Sequence, residues 1–399
     1  MTTQPQSASD RTLSRLPRAE LERRWALVRQ ELKSRSIEAL VVLNSEDFFG
    51  GYVRWLTDRG AYSGYHSVAI FHADEQMTLI EHGPLGMKRS SSGDEPDYPG
   101  VGEILATAAF QSVHPTHRYE AELALDALKR RGYRRIALAG AGAMPYAFVE
   151  ALTSAGLEIH DLTDFVDLCR ARKSAYELDL MRKVAAMQDR IFAGLLKEIR
   201  PGMRDMDVVT YNISAGRREG SEQGVFLAGS APPGMPAMMR PFHSQARVIE
   251  RGDAISILIE NNSAEGYYAE LGRTIVFGTA SAQLQDGLQA VIEAQRATVR
   301  QYVPGTPCAE IARSHDRYMQ DRGLPPEPRL YAHGQGYGLV ERPMIRADET
   351  MQVEAGMTLV THPAYVREGV FAYICDNVIV NDGGPAERIH STEQKIFEV

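Results

Sequence analysis

The sequence predicts a mixed α/β (α+β) protein of two domains, and three observations carry that prediction. Short apolar runs alternate with helical patterns over about the first 160 residues. A helix-start signature, Ser174-Ala175-Tyr176-Glu177, then opens a second region. Within that region Arg200-Pro201-Gly202-Met203 is echoed about a hundred residues later by Val303-Pro304-Gly305-Thr306. Each copy follows a long helical segment and opens another helix, so two related halves around a central cleft are expected.

Arg18 to Ser34 has helical spacing, with Leu21, Trp25, Leu27, Val28 and Leu32 on one broad face. Ala39 to Leu43 is a short apolar run suited to a buried strand. Ser67 to Phe71, Met77 to Ile80 and Arg135 to Ala139 are expected strands, and Tyr119 to Arg131 an expected helix. The long helix after Ser174 should stop at Pro201-Gly202, where proline breaks the pattern and glycine permits a turn. The expected organisation is a disordered lead-in over residues 1–17, a small α/β domain over 18–165 and a larger domain over 166–399.

At 399 residues the chain can bury two sizeable cores. A net charge of -8 argues against a nucleic-acid partner. No apolar run approaches the ~20 residues needed to span a bilayer. Three scattered cysteines, Cys169, Cys308 and Cys375, suit a reducing compartment, so a cytoplasmic protein is expected. Gly334-x-Gly336-x-Gly338 lacks the lysine-serine ending of a phosphate loop and indicates a close backbone approach instead.

The second region carries Gly252-Asp253, then Gly266-Tyr267-Tyr268-Ala269-Glu270-Leu271-Gly272-Arg273-Thr274, Gly334-Gln335-Gly336, His362-Pro363 and Cys375-Asp376-Asn377. In order and spacing these segments resemble the creatinase/aminopeptidase (pita-bread) family. The resemblance implies a creatinase-like N-terminal α/β domain followed by a C-terminal pita-bread domain. Metal-dependent members hold two cations with two aspartates, one histidine and two glutamates. The corresponding positions here are Leu258 (or nearby Glu260), Glu270, Gln335, His362 and Cys375. So poor a ligand set implies a metal-free site like that of creatinase, with no cofactor. A single transition ion on Glu270, His362 and Cys375 is the lesser reading.

On that resemblance the expected function is metal-independent hydrolysis of a non-peptide C–N bond in a small molecule. His243, Glu270 and His362 are the expected catalytic groups, since imidazole and carboxylate move protons near neutrality. Glu260, Gln335, Arg342 and Cys375 are expected to bind substrate. Arg54 and Arg59 are expected to reach a partner's cleft in a homodimer, and His333 only to support its loop. The alternatives are an Xaa-Pro peptidase with an atypical metal site, a small-molecule lyase and a non-catalytic binding module.

Overall fold

The computed structural model describes residues 14–44, 51–60, 64–108, 116–367 and 369–399. Most of the expected lead-in, residues 1–13, lies outside the described residues. The chain divides into two compact units, one over Arg15–Arg170 and one over Ala171–Val399 that also takes in Ser14.

The first unit comprises α1 (Arg18–Ser34), β1 (Ala39–Asn44), α2 (Tyr52–Thr57), β2 (Ser67–His72), β3 (Met77–His82), β4 (Lys88–Ser90), β5 (Val101–Thr107), α3 (Tyr119–Arg130), β6 (Arg135–Leu138), α4 (Tyr146–Ser154), β7 (Glu158–Asp161) and α5 (Thr163–Ala171). Its seven-stranded sheet runs β4-β5-β3-β2-β1-β6-β7. The apolar run of β1 is buried along its whole length, between antiparallel β2 and parallel β6. That position explains why β1 shows no polar alternation. On the expected face of α1, Leu21, Trp25, Val28 and Leu32 are buried, while Leu27 lies at its edge and is only partly buried.

The second unit comprises α6 (Ala175–Glu198), α7 (Asp205–Arg218), β8 (Gly224–Ala231), β9 (Ala254–Asn262), β10 (Tyr268–Val276), α8 (Ala282–Val299), α9 (Cys308–Asp321), β11 (Ala332–Gly334), β12 (Glu341–Met344), β13 (Thr358–Thr361), β14 (Ala364–Arg367), β15 (Val370–Tyr373), β16 (Asp376–Ile379), β17 (Glu387–Arg388) and β18 (Ile396–Glu398). Ser174 and Glu177 cap α6 reciprocally, so the predicted start signature is present. Gly202 ends the segment after α6 with φ +94°, a conformation glycine adopts without a Cβ penalty.

The internal echo is visible in backbone hydrogen bonds. Gly202 N donates to Ile249 O, and Gly305 N to Val353 O, both at 2.8 Å. Asp205 N donates to Arg247 O at 3.0 Å, and Cys308 N to Met351 O at 3.1 Å. Each turn is therefore fastened to its own half in the same way.

Two sheets result, ordered β18-β10-β9-β8 and β12-β11-β13-β16-β17, with β14 and β15 forming a separate hairpin. They are stitched where Gly272 of β10 exchanges hydrogen bonds with Cys375, at 3.2 and 3.3 Å. Tyr268 N adds a bond to Gly336 O at 2.8 Å. Apolar residues of α6, α7 and β8–β10, including Val184, Ile191, Leu195, Val208, Ile257 and Leu271, form the core behind this junction. Among the described residues no helix is long and apolar enough to cross a membrane.

Candidate active site

The junction of the two sheets buries an unusual concentration of polar groups. Strands β9 and β10 pair antiparallel with Glu260 directly opposite Glu270, so both side chains share one face. Both residues are buried, and their carboxyls hydrogen-bond each other. Burial first, then repulsion by Glu270, pushes the Glu260 carboxyl well above its ordinary range. Burial pushes Glu270 up to about 7, against the Cys375 thiol, the Tyr373 hydroxyl and the nearby Arg329 charge, which all favour its ionised form. The two carboxyls therefore titrate as a pair, and Glu260 is the harder of the two to ionise.

A ring of hydrogen bonds fixes this pair. Gln335 Nε2 donates to Glu260 Oε1 at 2.9 Å, and Asn377 Nδ2 donates to Gln335 Oε1 at 2.7 Å. Asn377 Oδ1 in turn accepts from Glu270 N at 2.7 Å. Opposite this ring, Tyr373 OH donates to Glu270 Oε1 at 3.2 Å.

Two histidines complete the site. His333 of β11 lies across from Val360 of β13, and His362 immediately follows β13, so the two sit diagonally on neighbouring strands. Their rings stand 5.4 Å apart at 67°. His333 Nε2 faces Glu270 Oε2 at 4.0 Å, and its Nδ1 lies 2.9 Å from Gly334 O. Burial pushes His333 down to about 4. Burial, then the neighbouring His333 and Arg329, holds His362 well below its usual value. Both rings are neutral at physiological pH. Arg329 stands beside them, donating to His362 O at 3.2 Å and paired with Glu327 at 2.8 Å.

Of the residues expected from sequence, Glu260, Glu270, Gln335, His362 and Cys375 come together here. His243 does not join them. It sits on a short 3₁₀ turn, Phe242–Ser244, and Pro241 through Ser244 are all exposed. Arg342 is already engaged, with Glu349 at 2.7 Å and Thr350 Oγ1 at 3.1 Å, so it is a structural clasp within its own loop. Arg59 is likewise held inside the first unit, by Glu81 at 2.6 Å and over the Tyr98 ring. Arg54 is buried on α2. Cys375 is no activated nucleophile: burial and the Glu270 charge push its thiol well above the ordinary range.

His333 and Tyr373 are functional candidates that sequence reasoning passed over. A period of two places His333 with Gln335 on one strand face, and that spacing was the available signal. Tyr373 had a subtler one in Gly272. A Cβ on Gly272 would lie 2.1 Å from Tyr373 Cε1 and 2.8 Å from Cys375 Cβ. The absent side chain leaves the space that the tyrosine ring fills. Gly272→Ala is expected to cost about 1–3 kcal/mol through overpacking, read as a lower denaturant midpoint. Wild-type stability in that variant would contradict the close contact.

The ligand positions do not fit a cation pair. Leu258 packs in an apolar cluster with Val360, Phe371, Tyr373 and Cys375. Gln335 commits its amide to Glu260 and Asn377, and Cys375 keeps its proton. One ion does fit the donors present. Glu270, His333 and His362 offer three ligand atoms within 4.8 Å of one another.

Comparison with known proteins places this fold among the M24 proteins. The profile of metallopeptidase family M24 matches residues 179–382, just over half of the chain. The probable dipeptidase PepE of Mycobacterium tuberculosis is 28% identical over 227 residues, which cover 56% of this chain and 59% of that relative. The Xaa-Pro dipeptidase of Pyrococcus furiosus is 24% identical over 262 residues, 64% of this chain and 74% of its own. The crystal structure of dipeptidase PepE from Mycobacterium ulcerans shares the fold, with a TM-score of 0.75 at 22% identity over 97% of this chain and 100% of that one.

The chain belongs to metallopeptidase family M24. Its architecture is the mixed α/β pita-bread fold expected from the sequence. The expected kinship with metal-free creatinase is corrected by these relatives, which are dipeptidases. The expected metal-independent cleavage of a non-peptide C–N bond is overturned with it.

Proposed function

We propose that this protein hydrolyses the amide bond of short peptides, dipeptides foremost. The observation that carries the reading is the buried Glu260–Glu270 pair, flanked by Tyr373 and two neutral histidines, inside the segment matched by the M24 family. The names of the relatives, dipeptidase and Xaa-Pro dipeptidase, support the same substrate class.

Amide hydrolysis needs a base for the attacking water, a donor for the developing oxyanion and a proton for the departing nitrogen. With Glu270 ionised and Glu260 protonated, the carboxyl pair can accept the water's proton and return one to the amine. Burial, then the neighbouring Cys375 and Glu270, pushes the Tyr373 hydroxyl well above its ordinary range, so it stays protonated. It can therefore donate to an oxyanion. A single cation on the donors present would supply Lewis acidity toward the carbonyl oxygen.

Arg329 is the group suited to a dipeptide's free carboxylate. It is 46% exposed, it is oriented by buried Glu327, and its charge reaches Glu270 and Tyr373. It also borders a cavity of about 470 Å³ lined by Asp316, Glu327, Tyr331, Arg346 and Asp348. Glu327 takes its Nε and Nη2 at 3.0 and 2.8 Å, so Nη1 is the donor it turns to a substrate carboxylate.

A panel of dipeptides, Xaa-Pro members included, should be assayed against their C-terminal amides, with zinc, cobalt or manganese supplied. Free dipeptides should be cleaved, and the amides at least about tenfold more slowly. Arg329→Gln should erase that preference. Failure to cleave any dipeptide in the panel would sink the proposal.

A further inference from the structure

We propose that Glu270, His333 and His362 form a mononuclear site for one divalent transition-metal ion of the zinc class, in place of a pair of hard cations. This goes beyond the proposed peptidase activity and does not depend on which peptide is cleaved.

Paired sites for hard cations are built from carboxylate oxygens. The three buried donors here are two imidazoles and one carboxylate, a set that favours zinc, cobalt and iron over magnesium, calcium and manganese. Two histidines and one carboxylate also leave coordination positions open, as catalytic sites require.

Geometry supplies the second support. The donors come from three separate segments, β10, β11 and the end of β13, and converge within 4.8 Å. His333 Nδ1 lies 2.9 Å from Gly334 O and donates its proton there, which leaves the Nε2 lone pair facing Glu270 Oε2. A backbone carbonyl on the far nitrogen is how metal-binding histidines are oriented. Glu270 divides its oxygens correspondingly: Oε1 accepts the Tyr373 hydroxyl and Oε2 faces the histidine. Zinc-type ligand bonds are about 2.0–2.1 Å long, so the side chains close by about 1 Å round an ion.

Cys375 is left out of the set. Its sulfur lies 3.5 Å from the Glu270 carbonyl oxygen and does not join the three converging donors. Glu260 is held by the Gln335 amide at 2.9 Å. These commitments limit the site to one ion.

The test uses the full chain, stripped with chelator and titrated with zinc or cobalt alone. Elemental analysis after gel filtration should give one ion per chain. Cobalt should produce a visible d–d spectrum without a thiolate charge-transfer band. Competition should favour zinc over manganese or magnesium by at least about 100-fold. His333→Ala and Glu270→Gln should each weaken zinc binding at least about 100-fold, with His362→Gln as a second imidazole variant if either misfolds. Two ions per chain, no bound ion, a thiolate band or undiminished binding by folded His333→Ala would overturn the proposal. A single bound ion with no dipeptide cleavage would leave this site standing and remove only the peptidase reading.

Discussion

Arg273→Ala is expected to lower the unfolding free energy by about 3–5 kcal/mol, the largest stability loss among the substitutions considered. Arg273 is buried on β10 and satisfies all five of its N–H donors. They reach Gly272 O at 2.7 Å, Cys375 O at 2.8 Å, Asp376 Oδ1 at 2.7 Å, Thr392 O at 2.8 Å and Glu393 O at 2.9 Å. One side chain thus ties β10 to the strand that follows Cys375 and to the C-terminal segment. Alanine would leave four carbonyls and a buried carboxylate short of a partner, and that desolvation penalty sets the magnitude.

The same pair has a pH signature. Burial works to raise the Asp376 carboxyl, yet Arg273, His390 and Arg388 hold it below its ordinary value. A carboxyl depressed in the fold contributes stability above its unfolded pKa and loses it as pH falls through the folded value. That contribution is therefore full at neutral pH and should shrink in acid. Arg273→Lys should recover part of the loss, because an ammonium keeps the charge without the planar fork. Urea unfolding followed by far-UV circular dichroism measures all three proteins. An alanine variant within about 1 kcal/mol of wild type would remove the clasp from this account.

Glu270→Gln is expected to reduce kcat/KM on the best-cleaved dipeptide by about 10²–10⁴-fold. The substitution preserves shape and removes the one negative charge of the carboxyl pair. Stability should move the other way. A carboxylate buried against a second carboxyl is costly to hold in the fold, so the chelator-treated variant should unfold at the same or higher denaturant concentration than chelator-treated wild type. Lost activity with retained stability marks a site maintained for chemistry at the expense of folding. Activity within threefold of wild type would show that Glu270 takes no part in the reaction.

Much of the backbone plan was legible in local pattern. The Ser174–Glu177 capping box, the Pro201-Gly202 stop and the apolar run of β1 each act within a few residues, and the structure contains all three. The repeated Pro-Gly turns announced two similar halves, which matching backbone bonds then display. Glu260, Glu270, Gln335, His362 and Cys375 were legible by alignment to a family frame, and they do converge. His243 was not, because a frame supplies position and says nothing of solvent exposure; its turn faces outward. Arg342 and Arg59 were misleading because a sequence does not show whether an arginine already has a carboxylate partner.

By itself, the sequence determined the mixed α/β class and the absence of the usual ligand types at Leu258, Gln335 and Cys375. Tertiary structure decided what replaced them. Glu260 meets Glu270 only through the β9–β10 register, and His333 meets His362 only because β11 lies beside β13. Tyr373 reaches Glu270 only through the space beside Gly272. These are contacts between residues far apart in the chain. Strand register and the volume of a missing side chain create them, and neither is written in any local run of residues.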